Sequence, residues 1–150
     1  MKNHTIYRIK TIRIELKIQD FSKKATSSYQ AFKILSGIFQ DLDADQEHFV
    51  VLTLNSRNAI TGYKVVCSGG QAEAAVDLKV LFRNVLLLGA VSIIIAHNHP
   101  SGDLLPSDDD IELTHRIKKC CEFLGVGLLD HIIIAKDKYF SFAEKGIIST

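Results

Sequence analysis

The chain has 150 residues and a formal net charge of +1, with 47% hydrophobic and 23% charged residues. This length suits one globular domain, and the apolar content excludes intrinsic disorder. The near-neutral charge excludes an overall electric field that would attract nucleic acid or an anionic membrane.

Membrane and secretory signals are not apparent in the sequence. The apolar runs are too short or too interrupted to cross a bilayer, and the basic N-terminus is not followed by the apolar stretch of a secretory signal. The chain has three cysteines, an odd number that suits a reducing compartment. We therefore expect a cytoplasmic protein with no membrane partner.

The first 25 residues are expected to form a strand-like arm, because apolar residues alternate with polar and basic ones from Ile6 to Ile18. The basic side chains of this arm fit an exposed strand face or a local basic patch. Hydroxyl side chains at residues 26–28 are candidate N-caps for a helix that ends near Gln40, and the acidic stretch 41–47 is a predicted loop.

Alternating short strands and helices are predicted for the rest of the chain. A turn joins strands 49–54 and 60–67, and Gly89 is a fitting C-terminal cap for the helix that precedes it. The later elements are a helix over 76–88, a buried strand over 91–96, a loop over 97–106, a helix from Ser107 to about Leu124, and strands over 128–135 and 139–142. This order predicts one α/β or α+β layered domain with a mixed sheet.

The loop after the buried strand carries the strongest chemical signal. His97 and His99 are two residues apart at a strand end, so their side chains point to the same side. Asp110 follows eleven residues after His99, in the first turn of the helix that Ser107 caps. Two imidazole nitrogens, one carboxylate oxygen and a water make a tetrahedral zinc site with one open position, the pattern of catalytic zinc, in which the water becomes a nucleophile at neutral pH.

Each half of this pattern has a simpler interpretation. A His-x-His pair recurs by chance, and acidic residues at 108–110 are common at a helix start, where they face the positive end of the helix dipole. The combination is more specific, because a buried strand, a loop shaped by Pro100 and Gly102, and a capped helix place the three side chains together.

These residues resemble a known motif. His97-x-His99-Pro100, six further residues and Ser107-x-x-Asp110 are similar to the JAMM motif of JAB/MPN-type zinc metalloproteases. The wider segments AHNHPSGDLLPSDDDIELTHRIK, LLDHIII and SFAEKGII resemble the bacterial RadC family, so that residues 26–150 form a RadC-like domain. The resemblance implies a JAB/MPN-like layered fold, similar in its layers to the cytidine deaminases, with one zinc ion per chain.

The resemblance also implies two catalytic side chains. Glu47 stands where the family has its general base, and Ser107 matches the serine that holds the oxyanion. By themselves, Glu47 would be a solvated charge at a strand entry and Ser107 a helix N-cap. Asn98 replaces the serine or threonine of eukaryotic members.

Other polar residues are assigned structural roles. His131 is interpreted as a packed strand residue, with an outer role at the metal site as the alternative, and a turn role suffices for Asp103. Cys120 and Cys121 are interpreted as small core or boundary residues. Longer RadC proteins carry an N-terminal helix-hairpin-helix region associated with DNA, and we expect this chain to be a short form without it.

Two functions therefore remain open. The first is a zinc-dependent peptidase or isopeptidase acting on a peptide or protein. The second is a nucleic-acid-associated metal-binding module without peptidase activity, against which the near-neutral charge counts. The H-x-E and P-C-x-x-C signature of zinc deaminases and the HExxH motif are absent from the sequence. The sequence leaves the substrate and the oligomeric state open.

Overall fold

The structure is a computed structural model that describes residues 24–70 and 76–149. Its helices and strands are, in chain order, α1 (Ser28–Gln40), β1 (His48–Leu54), β2 (Ile60–Ser68), α2 (Leu78–Leu87), β3 (Ser92–Asn98), α3 (Asp108–Leu124), β4 (Gly127–Ala135) and β5 (Lys138–Ser141). The strand-like arm predicted for residues 1–25 lies, except for its last two residues, outside the described residues.

The strands form one five-stranded sheet in the order β2-β1-β3-β4-β5. β1 pairs with β2 and β3 in antiparallel fashion, β3 and β4 are parallel, and β4 and β5 are antiparallel. The sheet is therefore mixed, with helices on its faces, which confirms the predicted α+β layered fold of JAB/MPN type. Because β3 and β4 are parallel, the chain between them crosses over the sheet, and α3 in this crossover packs against it.

Alternation along the central strands gives the sheet two apolar faces. Phe49 and Val51 of β1 belong to the core that contains side chains of α2 and α3. Val50 and Leu52, one residue out of phase, belong to the core that contains side chains of α1. Because successive strand side chains point to opposite faces, a strand with both faces covered is apolar without interruption. The prediction of a doubly buried strand before His97 is confirmed in the same way, since residues 92–97 are buried.

Several element ends differ by a few residues from the sequence prediction, and two of them have a clear cause. β3 continues to Asn98, beyond the predicted end at residue 96, because β1 and β4 pair with it on both sides up to its last residues. α2 begins at Leu78 because the Asp77 side chain accepts a hydrogen bond from the Lys79 amide and caps the helix. Within the described ranges, no helix combines the length and the apolarity needed to cross a bilayer.

Candidate metal centre

His97 and His99 lie at the carboxyl end of β3 and just beyond it. Residues Ile93, Ile95 and His97 share the sheet face that packs against α3, so the His97 ring extends the apolar row toward that helix. The His97 ring stacks on Phe49 of β1, with ring centroids 6.0 Å apart. The Nε2 atoms of His97 and His99 are 2.9 Å apart. The expected placement of both imidazoles on one side of the strand is therefore present.

Asp110 reaches the same point from the first turn of α3. The Ser107 side chain accepts a hydrogen bond from the Asp110 amide, and Asp110 Oδ2 accepts one from the Ser107 amide, a reciprocal capping box. Asp110 Oδ1 is buried and has no hydrogen-bond partner among the described residues, yet it lies 3.2 Å from His97 Nε2. A buried carboxylate oxygen without a donor is costly unless a cation lies beside it.

The outer nitrogen of the His99 ring, Nδ1, shows which nitrogen faces the centre. His99 Nδ1 lies 2.6 Å from the carbonyl oxygen of Asp103, which can only accept, so Nδ1 carries the proton. His99 Nε2 then carries an electron pair when the ring is neutral. This contact also gives the Asp103 turn a role that its side chain did not suggest, since its backbone sets the tautomer of His99.

One ligand atom from each of the three residues lies within 4.8 Å of the other two. With metal–nitrogen bonds of about 2.0–2.1 Å, neighbouring ligand atoms in a tetrahedral site are about 3.3 Å apart. Here the separations are 2.9 Å between the imidazole Nε2 atoms, 3.2 Å from His97 to Asp110 Oδ1 and 3.5 Å from His99 to Asp110 Oδ2. His97, His99 and Asp110 therefore form a cluster that could hold a metal ion.

The electrostatics of this cluster favour a positive charge. Burial alone would raise the pKa of Asp110, but contacts with His97 and His99 outweigh it and hold the pKa of the carboxyl far below its usual range. Asp110 in turn raises the pKa of His99, against the opposing effect of burial. Both shifts have one cause, since two nitrogen donors beside a carboxylate attract a cation, whether a proton or a metal ion.

Glu47 is held beside the cluster by the amide of Asn98. The antiparallel pairing of Phe49 with His97 places Glu47, two residues earlier, opposite His99. The Asn98 side chain accepts a hydrogen bond from the His48 amide at 2.7 Å and donates one to the Gln46 carbonyl at 2.8 Å. The charge of Glu47 is close enough to contribute to the raised pKa of His99.

Ser107 is exposed at the start of α3. Its Oγ accepts a hydrogen bond from the Asp110 amide at 3.0 Å, so the hydroxyl proton is available to another acceptor. The structure thus brings His97, His99, Asp110 and Ser107 to the junction between the end of β3 and the start of α3, and the backbone of Glu47 lies opposite His99 before β1.

Comparison with known proteins identifies the family. A model described as a RadC-like JAB domain matches residues 25–147. The chain belongs to the RadC family. JAB domains typically contain a His-His-Asp group of the kind described above.

Curated RadC-family relatives are similar over most of this chain. A UPF0758 protein of Staphylococcus haemolyticus is 41% identical over 130 residues, which cover 85% of this chain and 56% of the relative. One from Flavobacterium johnsoniae is 43% identical over 125 residues, covering 83% and 54%, and one from Carboxydothermus hydrogenoformans is 50% identical over 96 residues, covering 64% and 42%. The chain spans about half the length of these relatives.

Three residues of this RadC-family chain contribute to the site but were not assigned there from sequence. The sequence shows Asn98 only as a replacement within the motif and gives no signal for Thr114. For His131 it favours packing. His131 does pack, since its ring stacks on Phe142 with centroids 4.4 Å apart, but it also lies 2.8 Å from His97 Nδ1. The shared LLDHIII segment was the one signal in the sequence that pointed to this residue.

A groove of about 730 Å³ is lined by residues of α1, of the turn after β4 and of the end of β3. Its walls carry aromatic, basic and acidic side chains of α1 and of the turn after β4, and His99 and Pro100 close the end that meets the ligand cluster. Among the three ligand residues, His99 lines the groove, whereas His97 and Asp110 are buried and do not line it.

Proposed function

We propose that this chain is a zinc-dependent metallohydrolase of the RadC/JAMM type that cleaves peptide or isopeptide bonds. The observation that carries the proposal is the convergence of the His97, His99 and Asp110 donor atoms next to Glu47. Three protein ligands with an acidic group alongside is the arrangement of catalytic rather than structural zinc.

The donor set favours zinc over harder ions. Two imidazole nitrogens and one carboxylate oxygen suit zinc, whereas magnesium and calcium prefer six or more oxygen ligands. The only cluster of this kind detected in the described ranges is the His97, His99 and Asp110 group, and we propose one zinc per chain. When bound, zinc supplies Lewis-acid chemistry, lowering the pKa of water to about 7 and polarising a carbonyl.

The chain's own side chains provide the proton transfer and the oxyanion contact. We assign Glu47 the role of general base, which takes a proton from the attacking water and passes it to the leaving amine. The Ser107 hydroxyl, whose oxygen already accepts from the Asp110 amide, donates a hydrogen bond to the oxyanion that develops on the substrate carbonyl. Both are catalytic residues in this proposal, and the capping role of Ser107 keeps its hydroxyl beside Asp110.

The groove along α1 is the proposed route for the substrate. It has the volume for several residues of an extended peptide, and its walls combine aromatic faces with the charges of Lys33 and Lys136. A substrate lying there would bring one carbonyl past His99 toward the cluster. A peptide or protein is therefore the substrate class that we propose.

Glu47→Gln tests the catalytic assignment, with Asp45→Asn as the matched control. Both changes remove one negative charge from the same loop, but the Asp45 side chain is exposed. The zinc-loaded proteins are incubated with a mixture of linear and lysine-branched peptides, and new termini are mapped by mass spectrometry. We expect the Glu47 variant to keep one zinc and lose turnover by at least about 100-fold, as for loss of a general base.

Two outcomes would contradict this proposal. Hydrolysis by Glu47→Gln at the rate of the parent would show that another group is the base. A zinc-loaded parent that cleaves none of the peptides would remove the peptidase assignment. Zinc content measured on His97→Ala separates the metal from the chemistry, because we expect it to fall well below one equivalent.

A further inference from the structure

His131 lies behind the ligand cluster, between β3 and α3. It is fully buried on β4, in the strand that runs parallel to β3. Its Nε2 is 2.8 Å from His97 Nδ1, and its Nδ1 is 2.6 Å from the hydroxyl of Thr114, which is also fully buried. His131 therefore joins a ligand on the sheet to a residue on the helix.

The directions of these hydrogen bonds follow from the proton count. The Thr114 hydroxyl has one proton, which it donates to the carbonyl oxygen of Asp110 at 2.6 Å. It must then accept from His131, so His131 Nδ1 carries a proton. In the neutral ring His131 Nε2 is an acceptor, and it takes the proton of His97 Nδ1. His97 Nε2, which faces Asp110, is left with an electron pair.

The surroundings keep His131 neutral and its ring fixed. Its ring nitrogens are engaged by His97 and Thr114, and the ring has no solvent-exposed surface, so a charge on it would be costly. Phe142 stacks on the ring, and Phe49 meets it edge-on with centroids 5.8 Å apart. A protonated His131 would donate from both nitrogens and leave His97 with a proton on Nε2, where no metal can bind.

We propose that His131 and Thr114 are positioning residues for the metal site, which orient His97 and select the tautomer with a bare Nε2. The inference rests on the proposed metal site. A continuous chain of hydrogen bonds runs from the Asp110 carbonyl through Thr114 and His131 to His97. The backbone of one ligand therefore determines which ring nitrogen of another ligand carries the proton. Such outer partners of ligating histidines fix ring orientation and basicity.

A purely structural role for these residues predicts something different. Packing by Phe49 and Phe142 would hold the His131 ring without any preference for where the His97 proton lies. Loss of the Thr114 hydroxyl would then lower stability but leave zinc affinity unchanged. The affinity and the tautomer of His97 are thus the readouts that separate the two roles.

Thr114→Val and Thr114→Ser are the matched variants in the full chain. Valine keeps the shape of threonine without the hydroxyl, and serine keeps the hydroxyl. Zinc dissociation constants are measured at pH 7.5 by competition with a chromophoric chelator. We expect binding about 10- to 100-fold weaker in Thr114→Val, the usual effect of losing an outer partner, and near-parental binding in Thr114→Ser.

The tautomer is measured without metal. Long-range proton–nitrogen NMR correlations of the imidazoles should show a protonated Nδ1 and a bare Nε2 for His97 in the parent, and a mixture in Thr114→Val. A parental His97 protonated on Nε2 would overturn the inference even if no variant folds. Equal zinc affinities of the parent and Thr114→Val would also overturn it. A parent that binds no zinc would overturn the metal site together with it.

Discussion

Asp110→Asn separates the metal site from the helix cap that shares the same residue. An asparagine at 110 can still accept the Ser107 amide hydrogen bond through its amide oxygen, so the reciprocal cap is retained. Its NH2 group would take the place of Oδ1, which lies 3.2 Å from His97 Nε2, and would point a hydrogen at the His97 imidazole. The substitution therefore removes the negative ligand while preserving the local backbone.

The expected size of the effect follows from binding linkage. At free zinc about 1,000-fold above the dissociation constant, binding raises the free energy of unfolding by about 4 kcal/mol. For a domain of this size each kcal/mol raises the melting temperature by about 2–4 °C, so the parent should gain about 8–16 °C. At the same zinc concentration Asp110→Asn should gain less than about 1 kcal/mol. Without zinc, Asp110→Asn should have a lower free energy of unfolding than the parent, because the carboxylate that pairs with His97 and His99 is lost. Each zinc response is therefore measured against the metal-free form of the same variant.

The assay is thermal unfolding followed by circular dichroism, with and without zinc, and Asp109→Asn is the control. Asp109 is the neighbouring exposed carboxylate in the same helical turn, so its loss has the same effect on the helix dipole and on the net charge. We expect Asp109→Asn to keep the full zinc response. The reasoning would be refuted if Asp110→Asn kept the parental zinc-induced shift, or if Asp109→Asn lost it equally.

Three further predictions concern two residues around the centre and one in the core. Asn98→Ala removes two hydrogen bonds to the backbone beside Glu47. It should lower the free energy of unfolding in urea titrations by about 1–3 kcal/mol, while the zinc stoichiometry stays at one. An unchanged unfolding midpoint would contradict this. Burial raises the pKa of Cys121 to about 12, so iodoacetamide at pH 8 should leave Cys121 unmodified in the native protein and modify it in urea; rapid native labelling would argue against a buried thiol. Burial lowers the pKa of His131 below its ordinary value of 6.5. Below pH 6.5 the unfolded chain therefore binds a proton at this residue that the folded chain does not. The stability conferred by the neutral ring is present above that pH and is lost as the pH falls. Metal-free protein should accordingly lose more unfolding free energy between pH 7 and pH 5 than His131→Phe does, and equal losses would count against a neutral His131.

Much of the local structure was predictable because it depends on neighbours in the sequence. The cap at Ser107 and the helix end near Leu124 were both predicted. A hydroxyl before an acidic turn satisfies backbone groups within four residues, and so does Gly125, which has φ of +68° directly after the helix. The apolar run before His97 predicted a doubly buried strand for the same kind of reason. The side-by-side placement of His97 and His99 followed from the two-residue period of a strand.

The tertiary structure alone decided which distant residues complete the centre. Asn98 meets the backbone around Glu47 because β1 and β3 are antiparallel neighbours, and His131 meets His97 because β4 lies beside β3 in parallel. Strand order and register depend on the packing of whole faces, which a one-dimensional period does not encode. The sequence by itself determined the ligand-bearing loop and the capped helix, whereas the fold determined which side chains hold that loop and set the protons of its histidines.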